Sequence, residues 1–324
     1  MEQKFTSQLI KQHKIMKHIY IISFLLFFSF SLMKAQNLEN IDIPIGVCIP
    51  DSYDGLTVAQ LVKLGTKVEK IVTANGMAAW GSGDFVLFPT FDIYDQSVVE
   101  GMKNIYVIKA EMTLFIKQVG TNKVFGSISK TLSGGGANYK AAITNAISKV
   151  NTRDPKFKTF IEDGKKKIVK YYNDNCDRIL NKARDFAKVK EYEKALAHLA
   201  VIPDVTSCYS KVRTELLEIY VKYEAELCEK LYMKAKAEAA ANYYEKALYY
   251  LSLIDPKSPC ESKVNSLMTK ISSEVDEEAK QEYELQKQMY SDEAKLQQMK
   301  MKAMVEIAKG YAASQPVNYT VISK

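Results

Sequence analysis

The run Tyr192-Glu193-Lys194-Ala195-Leu196 returns 52 residues later as Tyr244-Glu245-Lys246-Ala247-Leu248. No gap is needed to extend the match in both directions. Val169-Lys170-Tyr171 falls on Val221-Lys222-Tyr223, Cys176 on Cys228, Lys182-Ala183 on Lys234-Ala235, Cys208 on Cys260, and Ser210-Lys211-Val212 on Ser262-Lys263-Val264. Of 44 positions aligned from Val169 and Val221, 18 are identical. A match of this density at a fixed period marks an internal repeat, one supersecondary unit used twice. Each copy predicts two helices. The first pair is expected over 160–188 and 191–200, the second over 208–240 and 243–253. In each copy a small residue (Ala183, Ala235) precedes a turn, followed by Tyr192 or Tyr244, Ala195 or Ala247, and Leu199 or Leu251. Alanines let two helices approach closely, and the tyrosine and leucine fill the groove beside them.

Four of the five cysteines belong to the repeat. Four cysteines allow three pairings, and helix geometry chooses among them. Cys208 and Cys228 are expected on one helix, about 30 Å apart at 1.5 Å per residue, whereas a disulfide needs α-carbons within roughly 7 Å. In a hairpin turning near Lys190, Cys176 lies about 20 Å below the turn and the second helix descends about 18 Å. The following loop then brings Cys208 level with Cys176. The expected bridges are therefore Cys176–Cys208 and Cys228–Cys260, with four buried free thiols as the alternative. Cys48 is left over, and is expected to be buried in a strand.

Disulfides fit the start of the chain. Lys14 and Lys17 precede an apolar run from Ile19 to Leu32, then Met33-Lys34-Ala35. A basic region, a short apolar core and a small residue form an export signal, expected to be cleaved near Ala35. An uncleaved anchor is the alternative, although 14 apolar residues fall short of the ~20 that span a bilayer. Met16 also starts a signal of ordinary length. Residues 1–35 hold five lysines and one glutamate, so the remainder carries 40 basic and 37 acidic residues. A nearly neutral chain of mixed charge has no footprint for nucleic acid, and the membrane is expected to be met only through the signal.

Between the signal and the repeats, residues 36–155 read as an α+β domain in the order β-α-β-β-β-α. Ile43 to Ile49 is β-branched and apolar. Leu61, Leu64, Val68, Ile71 and Val72 follow at helical spacing, with Asn75-Gly76 as a stop. Phe85 to Asp95 is a strand in which Pro89 implies an edge or bulge. Ile108, Ala110, Met112, Leu114 and Ile116 alternate with polar residues, and Gly120-Thr121-Asn122 turns into a partner strand over 123–132. Gly134-Gly135-Gly136 then leads to a helix carrying Tyr139, Ile143, Ala146, Ile147 and Val150. An antiparallel sheet with helices on one face satisfies this order, and a polar linker at 151–156 closes the domain.

Beyond the two repeats of 156–264, the third copy starts at Ser262 and diverges. Residues 261–309 read as one long charged helix whose stripe is Leu285, Met289, Leu296, Met299, Ala303 and Ile307. Its first part is expected to cap the repeats. Its second half either pairs with another chain as a coiled coil or stands alone in solvent. Pro316 ends it, and residues 319–322 are a candidate docking strand within the segment 265–324.

The Ala, Tyr, Ala spacing of the hairpins resembles the tetratricopeptide repeat, with a period of 52 rather than about 34. That resemblance implies a protein-binding scaffold. Residues 41–150, on their element order, Gly134-Gly135-Gly136 and Ala141-Ala142, resemble a bacterial envelope family that includes the curli-export channel lipoprotein and the activator lipoprotein of penicillin-binding proteins. The lipid-anchor cysteine common there is absent, and no functional residue transfers.

The chemistry available is sparse. After the signal only His198 remains, which argues against multi-histidine metal sites and a Ser-His-Asp triad; no metal or cofactor is expected. Gly134, Gly135 and Gly136 between strand and helix are a candidate anion site, or simply a permissive turn. Asp92 and Asp95 are either a carboxylate pair or two surface acids. Tyr171, Tyr172, Tyr223, Tyr249 and Tyr250 are a candidate partner surface, since tyrosine is favoured at interfaces. The expectation is an exported, non-catalytic envelope scaffold or adaptor that binds envelope proteins. Self-association through the C-terminal helix is part of that expectation. The alternatives are a carboxylate-dependent hydrolase acting on envelope glycan and a binder of small anions at the glycine turn.

Overall fold

The structure, a computed structural model, describes residues 41–75, 84–289 and 293–314. The export signal, Gly76 and the candidate strand at 319–322 lie outside them. The chain forms an N-terminal four-stranded sheet with helices, followed by a helical region.

The first half contains β1 (Ile45–Val47), α1 (Val58–Ala74), β2 (Phe85–Val99), β3 (Ile105–Gln118), β4 (Val124–Gly136) and α2 (Tyr139–Ser148). The sheet order is β1-β2-β3-β4. The sheet is not wholly antiparallel: β1 pairs parallel to β2, because α1 carries the chain back across the sheet before β2 begins. β1 is matched only with Phe85–Leu87, so Pro89 sits where β2 has become an edge. The α1 N-terminus is a capping box of Thr57 and Gln60. The Gln60 amide also donates to Lys140 O and Thr144 Oγ1, at 3.0 and 3.2 Å, which ties α1 to α2. Ile108, Ala110, Met112, Leu114 and Ile116 are all fully buried. On the other face of β3, Lys117 is buried rather than solvated, its ammonium 4.1 Å from the Phe88 ring centre. Burial holds its pKa below the usual lysine value.

The three glycines are not a turn. β4 runs through them, pairing Gly134, Gly135 and Gly136 with Ile108, Val107 and Tyr106. α2 lies directly on this strand. A Cβ on Gly134 would stand 2.0 Å from Ala142 O, and one on Gly136 2.8 Å from Ala141 C. Glycine is used here for close backbone approach.

The 151–156 segment leads straight into α3 (Pro155–Asp174), capped by Asp154 with Pro155 in its first turn. α3 packs along β4, burying Phe157, Ile161, Ile168 and Tyr172. Gly126 meets Phe160, and Gly164 makes room for Ile116.

The expected single helix over 160–188 is two: α3 ends at Asp174 and α4 (Cys176–Lys188) follows Asn175. The Asn175 side chain donates to Tyr171 O at 2.8 Å, alongside the backbone bond from Asn175 N to the same oxygen, and its backbone leaves the helical conformation. At the corresponding place in the second copy Leu227 offers no such bond, and α6 (Tyr209–Ala240) runs through unbroken. α5 (Tyr192–Ala200) packs on α4, and α7 (Tyr244–Ser252) on α6. Both hairpins turn alike. Lys190 and Asn242 adopt positive φ of 62° and 64°. Glu191 N donates to Phe186 O and Tyr243 N to Glu238 O, each pair displaced by the repeat length. Ala183, Ala195, Ala235 and Ala247 are fully buried at the crossings.

The expected single helix over 261–309 is broken between α8 (Glu261–Ile271) and α9 (Glu277–Met289); the described residues resume in α10 (Glu293–Ser314). Ser272 donates its hydroxyl to Thr269 O, and Asp276 caps the Ala279 amide, so the ladder stops and restarts between them. α8 and α9 continue the repeat. Tyr283, 52 positions beyond Leu231, is buried against the second hairpin with Ile271 and Leu248. α10 departs from the repeat and folds back along α5.

Candidate functional site

The helical half offers two surfaces of interest: the outer faces of the hairpins and the seam where α10 lies on them. Beneath both are the two disulfides, Cys176–Cys208 and Cys228–Cys260, each spanning 32 residues. Cys176 opens α4 and Cys228 lies within α6, while Cys208 and Cys260 stand at the N-caps of α6 and α8. An ion pair repeats beside each bridge, Lys211 with Asp177 and Lys263 with Glu229. Two structural disulfides indicate an oxidising, exported environment. Cys48 lies just past β1, half-exposed rather than buried in the strand, its amide bonded to Leu87 O.

The tyrosines do not form one surface. Tyr172 is only 2% exposed, its ring edge-on to Phe85 and Tyr171, so it belongs to the joint between α3 and the sheet. Tyr171 is half-buried beside it. Lys123 lies over its ring and Arg178 donates to its hydroxyl. Tyr223 is half-buried against Tyr220. Tyr249 is 60% exposed on α7, its ring 5.6 Å from the half-buried Tyr250. Tyr243 and Leu253 are exposed on the same hairpin.

The seam was not foreseen. Lys300 of α10 enters between two carboxylates, 3.2 Å from Glu224 of α6 and 3.1 Å from Asp255 after α7. All three side chains are less than one-fifth exposed. The Asp255 contact is an ion pair without hydrogen-bond geometry, while Lys257 N donates to the other carboxylate oxygen at 2.8 Å. Burial raises the Glu224 pKa, opposed by Lys300. For Lys300, burial pulls the pKa down, but the two carboxylates together outweigh it and hold the group above its ordinary value. Burial and the neighbouring Glu224 also push Tyr220 up. Below the triad, Met304 and Ala308 are buried, four and eight residues on. The expected stripe is therefore turned: Leu285 is 63% and Met299 38% exposed. One residue is 100° of helix rotation, and the lysine at position 300 hides the true register because it reads as a surface residue. α10 packs Lys300, Met304 and Ala308 against its own chain. The legible signal was the i, i+4, i+8 spacing of Lys300, Met304 and Ala308.

The other candidates separate. Asp92 accepts from the Tyr53 hydroxyl at 2.9 Å, and Asp95 pairs with Lys109 at 3.0 Å across a bulge at residue 94. The Gly135 amide donates to Asn145 Oδ1, and Asn138 caps the start of α2 through the Ala141 amide.

His198 lies on α5, edge-on to Phe186, with Nε2 buried and unbonded. Burial lowers its pKa from 6.5, helped by Lys182 and Arg178. A depressed histidine favours folding in its neutral form. Its contribution is complete above the unfolded value of about 6.5 and is lost as pH falls through the folded pKa. The repeat carries Tyr250 at the matching position. His198→Tyr is expected to flatten the fall in urea midpoint between pH 7.5 and pH 5, measured by circular dichroism. An unchanged slope would place the acid sensitivity elsewhere.

No family model, curated protein or solved structure matches the chain. Among the described residues no helix is long and apolar enough to cross a membrane.

Proposed function

We propose that this chain is an exported, non-catalytic cell-envelope adaptor that binds envelope proteins through tetratricopeptide-like hairpins. The observation that carries the reading is the pair of hairpins with the same turn, the same alanine crossings and the same disulfide. Such a duplicated, cross-linked pair of rods is a rigid platform, and rigid platforms bind without a large ordering cost. Tyr249, Tyr243 and Leu253 supply exposed, largely apolar contact area on it. In this reading the signal is cleaved near Ala35 and the mature chain resides in the periplasm or beyond. The sheet domain, with its resemblance to envelope lipoprotein domains, docks to the assembly the adaptor serves.

A photo-crosslinking residue in place of Tyr249, in the full chain expressed in its native envelope, tests this. The expected result is a discrete heteromeric adduct absent when the same residue replaces the exposed Lys109. The same diffuse background from both positions, with the disulfides intact, would remove the adaptor reading.

A further inference from the structure

β4 is the last strand of its sheet, and one of its edges pairs with no other described strand. Two bonds show which backbone groups point out of that edge. Gly135 N donates to Asn145 Oδ1 at 3.3 Å, and Ser133 O accepts from the Lys149 ammonium at 3.0 Å. Both partners belong to α2 and its C-cap, not to β3. In an antiparallel strand the amide and carbonyl of one residue point the same way, and every second residue shares that direction. The outward set is therefore Ser127, Ser129, Thr131, Ser133 and Gly135, and α2 occupies the last two. Ser127, Ser129 and Thr131 are exposed, and no bond from a described residue reaches their outward amides or carbonyls. Beside this open stretch lies a trough of about 610 Å³ between β4 and α3. α3 runs antiparallel to the strand: Asp154 meets Lys130, Phe160 meets Gly126, and Tyr171 meets Lys123. One stripe of α3 walls the trough, formed by Lys156, Phe160, Asp163 and Lys167. Phe160 and Ile128 are half-buried there. The charges on the wall are unbalanced. Asp163 pairs with Lys166 at 3.7 Å and Asp154 with Lys130 at 2.5 Å. Lys156 and Lys167 are exposed and have no ion-pair partner among the described residues. They stand about 16 Å apart along the helix at 1.5 Å per residue, close to the span of a five-residue strand.

We infer that the open edge of β4 takes up an extended, acidic segment of a partner protein as a further strand of the sheet. The segment carries two acidic side chains four positions apart, with an apolar side chain midway between them. Alternate residues of a strand share a face, so all three turn toward α3. The backbone bonds to Ser127, Ser129 and Thr131. The acids reach Lys156 and Lys167, and the apolar residue covers Ile128 and Phe160. In strand addition the main chain supplies affinity and the alternate side chains supply specificity. A second copy of this chain fits the edge poorly, because two-fold pairing along β4 would set Lys156 and Lys167 of one chain against those of the other. The inference rests on the part of the adaptor reading in which the sheet domain docks, and adds the place and the partner's chemistry.

The test uses the full chain and a fluorescent peptide containing Glu-Thr-Val-Thr-Glu, blocked at both ends, followed by anisotropy. It is expected to bind at least tenfold more tightly than the same peptide with lysine in place of each glutamate. Two further peptides are methylated on backbone nitrogens, one at Glu and Val, the other at Thr. Only one set of amides faces β4, so one peptide is expected to lose at least tenfold and the other to keep its affinity. Ser129→Pro removes an outward amide and leaves the ladder with β3 intact; it is expected to weaken binding at least tenfold. Lys156→Glu with Lys167→Glu is expected to reverse the preference, so that the lysine peptide binds better. A wild-type chain that does not prefer the glutamate peptide overturns the proposal. So does a preference that survives the double charge reversal, or equal binding of the two methylated peptides. The methylated pair acts on the unaltered chain, and so decides the matter if Ser129→Pro fails to fold. Sedimentation that finds the unaltered chain dimeric and Ser129→Pro monomeric also overturns it, in favour of a second copy on the edge. If the peptides fail while the position-249 adduct persists, the strand site is wrong and the adaptor stands. If the adduct fails while the peptides behave as expected, the strand site stands and the hairpin reading falls.

Discussion

Replacing Gly134 with alanine is expected to cost at least about 3 kcal/mol and to loosen α2 from the sheet. The added methyl carbon would stand 2.0 Å from Ala142 O and 2.6 Å from Ala146 N. Both are backbone atoms of a helix, so no side chain can rotate away. Either α2 lifts off β4 or β4 leaves its register with β3 at Ile108. Lifting α2 also strains the bonds that Gln60 makes to Lys140 O and Thr144 Oγ1, so the loss spreads to α1. Gly120 is the control, since a Cβ there meets nothing within 4 Å. Urea denaturation followed by near-ultraviolet circular dichroism should separate the two variants. A Gly134→Ala protein as stable as Gly120→Ala would mean that the contact of α2 with β4 yields without cost.

Removing either disulfide is expected to cost roughly 3.5–4 kcal/mol, and the two losses should be alike. Each bridge closes a loop with a separation of 32 residues. In the chain-entropy account the cost depends only on that length, so the Cys176→Ala/Cys208→Ala and Cys228→Ala/Cys260→Ala proteins should lose similar stability. Alanine is the better replacement because the thiol positions are buried and a serine hydroxyl there would need a partner. Two hairpins are fewer than the three that repeat arrays usually need, and the bridges make up that shortfall with the partial third unit of α8 and α9. The measurement is a urea midpoint with and without reductant. A midpoint indifferent to reductant would show that the hairpins stand on their cores alone.

Much of this architecture was legible because its causes are local or repeated. The period-two run from Ile108 to Ile116 and the paired Ala, Tyr, Ala spacing each reflect a face that must be buried, and the structure buries those faces. The misses share a different origin. The break at Asn175 coincides with a side-chain bond to Tyr171 O that Leu227 cannot make in the second copy. The return of α10 depends on Lys300, a residue type that periodicity assigns to solvent. Its burial is set by Glu224 and Asp255, distant in sequence. The parallel pairing of β1 follows from the path of α1, not from the residues of β1. Gly134, Gly135 and Gly136 read as a turn because glycine marks turns and close approaches alike, and only the position of Ala142 above the strand tells them apart. Tyr171 and Tyr172 illustrate the same limit: neighbours in the chain, one half-open and one sealed beneath the sheet.

The two bridges also change what a cut in the chain would do. A protease that severed the loop after Lys188, or the one after Ala200, would act between Cys176 and Cys208, and both pieces would stay covalently joined. The same holds for cuts between Cys228 and Cys260. Nicked molecules would keep their mass until reduced, and damage in the exposed turns of the hairpins would not release fragments into the surroundings.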